Sequence, residues 1–576
     1  MYEWTLEDLY PSYESEEFQS DLKKIDELVE RYKALPEDDD IENIKRVVAL
    51  VEETEVLCER LGSYISLRMA TNTTDKESAN YSAILDAKTA KISSEEARIN
   101  KFLGNIKTDI SKDEKLAQYR FFFEEKKQKA SHLLSNDVEE VIAKLNLSAG
   151  ASWSTLQSYL TSIVEGEMDG EPITLPQVRN LAYDKDPAVR KKAYEAELAM
   201  YRHIKEPIAF ALNNIKSQVN DIAELRGFES PLDQTLQKSR MSRETLDALI
   251  SAMEDSLPAF RKYLKHKASL LGHREGLPFY DLFAPMGNSS KTFTVEESKN
   301  FLMDVFSKFS PDLAEMTREM YDEKHIDVFP KKGKVGGAFC SNLPFIKQSR
   351  ILLNDDGLIG SLVTAAHELG HAYHGLHIQD HLPLNRDYSM PVAETASTFN
   401  ENLLLNPLIQ MADKEEKINL IEQQLQDITQ VIVDIYSRYL FESEVFEKRR
   451  SAFLFADELE EIMLDAQRKA YGDGLDQKFL HPYMWVNKGH YYSETTSFYN
   501  FPYAFGGLFS KGLYALYQEK PEGFVQKYQE MLRATTVSSV EDTAKVMGID
   551  LSKKEFWQGA LKMVEKTIDE FIELTK

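Results

Sequence analysis

The chain of 576 residues has a mass of 66.1 kDa, a formal net charge of −26 and an isoelectric point of about 5.0. Hydrophobic residues make up 42% and charged residues 28% of the sequence, which is typical of globular proteins and excludes a disordered chain. The strong negative charge argues against nucleic acid or an anionic membrane as the main partner, because phosphate binding needs clustered Lys and Arg side chains.

The first residues, MYEWTLEDLYPSYESEEF, are acidic where a signal peptide needs a basic stretch followed by an apolar run. No stretch approaches ~20 uninterrupted apolar residues, so no membrane span is predicted. The two cysteines, Cys58 and Cys340, are too few for a disulfide framework, which favours a reducing compartment. We therefore expect a soluble, cytoplasmic protein, and we make no prediction of its oligomeric state.

Most of the chain shows the three- and four-residue spacing of apolar positions that is typical of amphipathic helices. This pattern covers residues 16–34, 41–70, 76–106, 110–145, 190–225, 243–272, 412–452 and 553–575. Strand-like sequence is confined to a hairpin in 162–175, with its turn at Asp169–Gly170, and to the segment 327–355. The prediction is a mainly α-helical fold with one small sheet just before a histidine-rich helix.

Domain boundaries are placed near residues 110 and 190. They give an N-terminal helical region (1–110), a small helical segment with a hairpin (111–190) and a large third region (191–576). The third region contains the histidine-rich segment.

The segment AAHELGHAYHGLH contains the motif H-E-x-x-H at residues 367–371. On a helix, residues four apart share a face at ~5–6 Å between Cβ atoms, so His367 and His371 can bind one metal ion. Glu368 lies one position further round, where its carboxylate can reach a metal-bound water without binding the metal. The motif predicts a catalytic zinc site with Glu368 as general base. Gly370 is a poor helix former and argues slightly against an unbroken helix.

A catalytic zinc ion needs three protein ligands and an open fourth position, and three residues compete for the third place. His374 shares the face of His367, but seven residues span ~10 Å of helix, too far for one ion to bind both. His377 would complete H-E-x-x-H-x-x-G-x-x-H, but His374 occupies the glycine position of that pattern. Glu394, further along the chain, is the favoured third ligand.

Glu394 lies in a segment that predicts a second helix, SMPVAETASTFNENLLLNP. The predicted boundaries of this helix are Ser389 as cap, Pro391 in the first turn and Pro407 as terminator. Glu394, Ser397 and Glu401 would share one face. A glutamate on a second helix completes the His₂Glu set of thermolysin-type sites. Glu401 can accept the free N–H of a ligand imidazole, and Ser397 is expected to support the ligands from the same face.

These residues resemble the M3 family of metallopeptidases, and within it the oligoendopeptidase F branch. The matching segments span nearly the whole chain: WTLEDLYPS, GKVGGAFCSN, AAHELGHAYHGLH, VAETASTFNENLL and GHYYSETTSFYNFPYAFGGLF. The resemblance implies a large helical bowl around a deep substrate channel, with 191–576 as the catalytic domain. It also implies a zinc-dependent endopeptidase that acts on short peptides, with one Zn²⁺ ion bound by His367, His371 and Glu394 and with Glu368 as base.

The resemblance further implies roles for the C-terminal segment 489–509. His490 would be an electrophilic helper near the substrate carbonyl, and Tyr503, or else Tyr499, would donate to the oxyanion. Such a donor stabilises a developing oxyanion by ~3–4 kcal/mol. From the residues alone, most of the aromatic side chains in this segment are expected to be core.

Gly336 and Gly337 precede the histidine-rich segment and raise a further hypothesis. Glycines there would let an extended substrate backbone approach an exposed strand edge. The same two residues could equally form a bulge or a tight turn, and the sequence leaves both interpretations open.

Two other functions compete with the peptidase interpretation. One is a non-catalytic zinc-containing protein that binds peptides without cutting them, and the other is a different hydrolase that uses the same metal. Glu368 argues against the binding protein, because a purely structural zinc site has no use for a base.

Overall fold

The structure is a computed structural model that describes residues 2–287 and 291–576. Helix accounts for 69% of the chain, which confirms the predicted mainly α-helical fold. Within the described ranges, no helix is both long and apolar enough to cross a bilayer.

The N-terminal helices pack around a hydrophobic core of their own. Their bounds are α1 (Glu16–Lys33), α2 (Ile41–Thr71), α3 (Lys76–Asn105), α4 (Glu114–Gln118) and α5 (Arg120–Ala130). The next helix, α6 (Asn136–Asn146), has no buried residue and lies outside this core. This core runs from Leu9 to Phe123 and also includes Leu343 and Leu384 from far along the chain. The N-terminal helices are therefore anchored to the region around the histidine-rich segment.

The continuous helical pattern predicted over 110–145 is wrong in detail. The structure divides this segment among α4, α5 and α6. Asp113 accepts hydrogen bonds from the backbone N–H groups of Lys115 and Leu116 and so starts α4 as a separate helix.

The middle of the chain contains long helices and the predicted hairpin. The elements are α7 (Gly150–Ile163), β1 (Glu165–Met168), β2 (Glu171–Thr174), α8 (Leu175–Asn180), α9 (Pro187–Leu225), α10 (Pro231–Lys238), α11 (Arg243–Leu270), α12 (Val295–Phe309) and α13 (Pro311–Asp322). β1 pairs antiparallel with β2, and the turn residues Asp169 and Gly170 both have positive φ (55° and 87°). Positive φ at both positions is what a tight two-residue hairpin requires, so the hairpin prediction is confirmed.

A three-stranded sheet precedes the histidine-rich helix, as predicted. Its strands are β3 (Ile326–Asp327), β4 (Phe339–Leu343) and β5 (Gln348–Leu352), and the helix that follows is α14 (Ile359–Ile378). β5 is central and pairs in parallel with β3 and antiparallel with β4. β4 is therefore an edge strand within the described part of the chain. Its Asn342 donates from Nδ2 to the carbonyl oxygen of His371 at 3.4 Å, which links the sheet to α14.

The C-terminal helices complete the main core around α14. They are α15 (Met390–Ala393), α16 (Thr395–Met411), α17 (Lys414–Thr429), α18 (Ile435–Arg449), α19 (Ala456–Tyr471), α20 (Phe501–Glu519), α21 (Phe524–Ala534), α22 (Val540–Lys545) and α23 (Lys554–Leu574). A π-helical turn, Gln430–Asp434, joins α17 to α18. The main core runs from Val164 to Phe571. The domain boundaries near residues 110 and 190 stay predictions.

The helix predicted over 389–407 is interrupted and runs further than expected. Glu394 (φ −93°, ψ 7°) separates α15 from α16. Ser389 occupies the N-cap position of α15, but its side chain makes no capping hydrogen bond there. Pro407 lies inside α16 instead of ending it, because Leu408 is buried in the main core and holds one more helical turn.

α14 and α16 cross at Gly370 so closely that no side chain fits between them. A Cβ atom on Gly370 would lie 2.5 Å from the carbonyl oxygen of Ala396 and 2.5 Å from the Cα of Ser397. α14 remains helical through this glycine, so its low helix propensity is outweighed by close packing. Gly375 has the same role toward the sheet, since a Cβ there would overlap the side chain of Asn342.

Replacing Gly370 with alanine should force α16 away from α14 and destabilise the fold by ~1–3 kcal/mol, the usual effect of overpacking a core site. Gly559→Ala is the matched control: Gly559 also lies inside a helix, α23, but a Cβ there meets nothing within 4 Å. Alanine at 559 should stabilise the protein by ~0.5–1 kcal/mol through its better helix propensity. Chemical denaturation followed by circular dichroism measures both changes, and equal stability of the two variants would contradict the close-crossing argument.

Candidate metal centre

Three predicted ligands from two helical segments meet at one point. His367 and His371 lie one turn apart on α14, with ring centroids separated by 4.9 Å. Glu394, at the interruption between α15 and α16, places Oε2 at 3.2 Å from Nε2 of His367 and at 3.3 Å from Nε2 of His371. One donor atom from each residue falls within 4.8 Å of the other two.

The spacing of these donor atoms fits a tetrahedral metal site. Ligand atoms at ~2.0–2.1 Å from a tetrahedral Zn²⁺ ion are about 3.3 Å from one another. The two measured nitrogen–oxygen distances, 3.2 and 3.3 Å, match that separation. Two imidazoles and one carboxylate also form a donor set typical of catalytic zinc sites.

Hydrogen bonds behind the donor atoms orient two of the three residues. Nδ1 of His367 is hydrogen bonded to Oε1 of Glu401, so in the neutral ring Nδ1 carries the proton and Nε2 presents a lone pair to the site. The Ser397 hydroxyl donates to Oε2 of Glu394 at 2.7 Å. Asn400 of α16 donates to the carbonyl oxygen of Ala366, which ties the two helices together at this level.

The electrostatics of the cluster favour positive charge beside Glu394. Burial lowers the pKa of His367, but hydrogen bonds to Glu394 and Glu401 outweigh burial and raise the pKa to about 10. Burial raises the pKa of Glu394, but its hydrogen bonds with His367 and His371 outweigh burial and hold the pKa well below its ordinary value. A divalent cation would supply the positive charge that the Glu394 carboxylate favours while both imidazoles stay neutral. The residues present therefore fit a bound metal ion.

Glu368 presents a free carboxylate oxygen beside this cluster. The side chain is 6% exposed, and Oε2 has no hydrogen-bond partner among the described residues. Burial is the main reason that the pKa of Glu368 is raised. Glu368 lines a cleft of about 520 Å³ together with His367, Glu401 and Gly337. An unpaired buried carboxylate of raised basicity, open to a cleft, is suited to hold and accept a proton.

The two remaining histidines of the motif region do not join the cluster. His374 is fully buried, and its Nε2 is 2.8 Å from the hydroxyl of Thr535, which fits the predicted packing role. His377 packs edge-on against Tyr373 with ring centroids 4.5 Å apart. α14 continues to Ile378 without a turn, so His377 stays on another face of the helix from His371.

The predicted C-terminal residues lie next to one another at the start of α20. The His490 ring stacks on Tyr499 with centroids 5.6 Å apart, and the hydroxyls of Tyr499 and Tyr503 are 2.5 Å apart. Burial is the main cause that raises the pKa of Tyr503, and the charge of Glu394 adds to it. A Cβ on Gly506, one turn further along α20, would lie 3.3 Å from Glu394, so this helix faces the metal cluster.

Gly336 and Gly337 lie in a bend ahead of β4, which begins only at Phe339. Of the two interpretations that the sequence left open, this geometry favours the turn, because Gly337 has φ +78°, in the left-handed region that ends extended backbone. Both glycines are exposed, and a Cβ on either would meet nothing within 4 Å. The Gly337 carbonyl accepts a hydrogen bond from Asn354 at 2.8 Å, which holds the bend at the edge of the cleft.

Sequence reasoning missed the polar side chains behind His490. Asn500 contacts the ring, and Arg438 and Asp434 lie behind Asn500. Asn500 is the one amide side chain within the aromatic stretch FYNFPYAF, and this could have marked it in the sequence as a candidate polar contact of the site. Arg438 and Asp434 lie some 60 residues earlier, and their spacing carries no signal that links them to His490.

Comparison with known families and proteins gives a consistent result. The family model described as Peptidase family M3 matches residues 180–563, and the model described as Oligopeptidase F matches residues 103–164. Oligopeptidase PepF of Bacillus subtilis (strain 168) is 25% identical over 592 residues, which cover 99% of this chain and 87% of that protein.

Solved structures agree on the fold. Oligoendopeptidase-F from Enterococcus faecium matches with a TM-score of 0.72 at 18% identity and covers 97% of this chain and 99% of its own. A crystal structure from Chlamydophila abortus matches with a TM-score of 0.87 at 20% identity and covers 99% of this chain and 98% of its own. The predicted helical bowl, with a small sheet beside the histidine helix, is confirmed.

Glu394→Gln should weaken zinc binding by more than ~10²-fold, because loss of a ligand exceeds the 10–100-fold effect of losing a supporting hydrogen bond. His377→Gln on the same helix is the matched control and should keep parental affinity. Competition titration with a zinc chelator and elemental analysis after gel filtration measure both. Metal loss from the His377 variant and retention by the Glu394 variant would contradict the ligand set.

Proposed function

The chain belongs to peptidase family M3, and from this membership we propose that it is a zinc-dependent endopeptidase that hydrolyses peptide bonds in short oligopeptides. The family makes it a metallopeptidase. We propose three further points: that the metal is zinc, that single residues have the roles given below, and that the substrates are short peptides. The observation that supports them best is the meeting of three donor atoms beside the unpaired carboxylate oxygen of Glu368.

His367, His371 and Glu394 would hold the ion. A Zn²⁺ ion with this ligand set supplies a Lewis acid that lowers the pKa of a coordinated water to ~7. Glu401 keeps His367 in the tautomer that offers Nε2, and Ser397 orients the carboxylate of Glu394.

Glu368 would act as general base and then as general acid. Its buried, unpaired Oε2 can accept a proton from the attacking water and later deliver it to the amine of the leaving peptide. The raised pKa of this carboxyl makes it a better proton acceptor than an exposed glutamate.

Negative charge that develops on the carbonyl oxygen needs donors from the protein. Tyr503 and Tyr499 share one hydrogen bond between their hydroxyls, so one hydroxyl hydrogen remains available to a substrate oxygen. Tyr503 is our first choice as that donor because it lies toward Glu394, and Tyr499 is the second. His490 would help to polarise the same carbonyl group.

The substrate would lie in the cleft between α14 and the glycine bend that precedes β4. Gly337 and Ala338 line this cleft, and a second cavity of about 690 Å³ shares Glu401 with it as a lining residue. An extended peptide backbone can approach the open glycines and the edge of β4, which favours recognition through the main chain. A recessed site of this size suits short peptides, in keeping with the names of the oligopeptidase relatives. A cytoplasmic location is also part of the proposal.

Glu368→Gln should retain zinc and lose ~10²–10⁴-fold in kcat, because the amide cannot accept the proton. Glu565→Gln, on the exposed side of α23, is the matched control and should keep parental activity. Cleavage of a quenched fluorescent peptide, together with zinc content, measures both. Parental turnover in the Glu368 variant would contradict the mechanism, and a parental enzyme that binds peptides without cutting them would favour the binding-protein alternative.

Gly337→Asn should raise KM several-fold for unrelated peptides, because the new side chain would occupy the space left for a substrate backbone. Asparagine tolerates positive φ, so the bend itself should remain intact. Gly548→Asn is the matched control: its φ of 76° is close to the 78° of Gly337, and a Cβ there also meets nothing within 4 Å. Steady-state kinetics on three peptides of different sequence provide the measurement, and an unchanged KM at Gly337→Asn would discard this substrate path.

A further inference from the structure

A line of polar side chains leads from the His490 ring into the protein interior. Nδ2 of Asn500 is 2.8 Å from Nε2 of His490, and Nη1 of Arg438 donates to Oδ1 of Asn500 at 2.9 Å. Arg438 is ion-paired with Asp434, which lies one turn earlier and is the last residue of the π-helical turn. The Tyr471 hydroxyl also donates to Asp434, at 3.3 Å. Asn500 and Asp434 are buried, so bulk water does not rearrange this line.

The direction of each hydrogen bond follows from the chemistry of the groups. A guanidinium has donors and no acceptor, so the atom of Asn500 that faces Arg438 must be the amide oxygen. The amide nitrogen of Asn500 therefore faces His490, and it can only donate. Nε2 of His490 must accept, which leaves the ring proton on Nδ1. Among the described residues none accepts a hydrogen bond from that Nδ1.

Asn500 occupies a helix N-cap position, but its side chain does not cap the helix. Asn500 is the N-cap residue of α20, where an asparagine side chain usually accepts a hydrogen bond from the first backbone N–H groups of the helix. Its side chain makes no capping bond here. Both ends of the amide are instead engaged by Arg438 and His490, so a purely local structural role does not account for the arrangement.

We propose that Arg438 and Asn500 are positioning residues that hold His490 as the neutral tautomer with its proton on Nδ1, free to donate to the carbonyl oxygen of the substrate. This inference rests on the proposed endopeptidase function and adds that the ring proton of His490 is held on Nδ1. The proton stays on Nδ1 in the enzyme and is shared with the substrate oxygen as negative charge develops there.

The charges around His490 act in the same direction. Burial, with a smaller effect from the positive charges of Arg438, Lys488 and Lys216, lowers the pKa of His490 to about 3. Arg438 comes from α18, Lys216 from α9 and Lys488 from the segment of His490 itself, and the His490 ring also contacts the rings of Tyr491 and Tyr499. Since the folded-state pKa is depressed, His490 is neutral through the whole neutral range.

Asn500→Asp tests this assignment with almost no change in shape. A carboxylate can only accept, so it would require an N–H at Nε2 and would reverse the proton position on His490. We expect kcat to fall about tenfold or more, with KM near the parental value, because the lost donor acts mainly in the transition state. Asn214→Asp is the matched control: the Asn214 amide also donates a hydrogen bond, to the backbone carbonyl of Phe210, but it lies on α9 outside the site.

The proton position can be read without any turnover. In the zinc-loaded full chain labelled with ¹³C and ¹⁵N histidine, the signal lost in His490→Gln identifies the residue. Its nitrogen shifts should report the Nδ1–H tautomer in the parent and an Nε2–H or doubly protonated ring in Asn500→Asp.

Three results would overturn the inference: an Nε2–H tautomer in the parental protein, an unchanged tautomer in Asn500→Asp, or a parental kcat in a variant whose tautomer has changed. The tautomer signal does not depend on activity. The inference can therefore fail while the endopeptidase proposal stands, and a parental protein that cuts no peptide would count against that proposal alone.

Discussion

The site depends on the close crossing of α14 and α16. Because residue 370 has no side chain, the backbone of Ala396 and Ser397 lies where a Cβ would otherwise be. That contact brings Glu394, just before α16, within 3.3 Å of the imidazole nitrogens on α14. Gly375 allows the sheet to approach the same helix from its other side. The geometry of the metal cluster is therefore set by backbone packing, and the side chains only complete it.

Within this strongly acidic chain, carboxylates of the site are paired with the imidazole groups. Glu394 and Glu401 face His367, so a cation between the donor atoms is favoured. Glu368 is left out of these pairs, and its free oxygen supports the proposal that it acts as the base. His490, stacked on Tyr499, is instead kept neutral by burial and by neighbouring cations. One half of the site thus favours positive charge, and the other half offers neutral hydrogen-bond donors.

The sequence was most informative where function depends on local spacing. The motif at 367–371 and the later Glu394 were recognisable because both helical periodicity and donor chemistry point to them. The sequence was less informative where tertiary packing decides the outcome. Helical spacing alone could not reveal the interruption at Glu394, and Pro407 sits inside a helix because a buried leucine follows it. The Arg438–Asn500 line joins residues 62 positions apart, and nothing in their local sequence predicts the contact.

The proposed chemistry requires a single zinc ion between α14 and the Glu394 interruption. Anomalous diffraction from crystals of the zinc-loaded protein, collected on both sides of the zinc absorption edge, would locate that ion. We expect one anomalous peak at bonding distance from Nε2 of His367, Nε2 of His371 and a carboxylate oxygen of Glu394. A peak beside His377 or His374, or zinc in solution with no peak among these three residues, would contradict it.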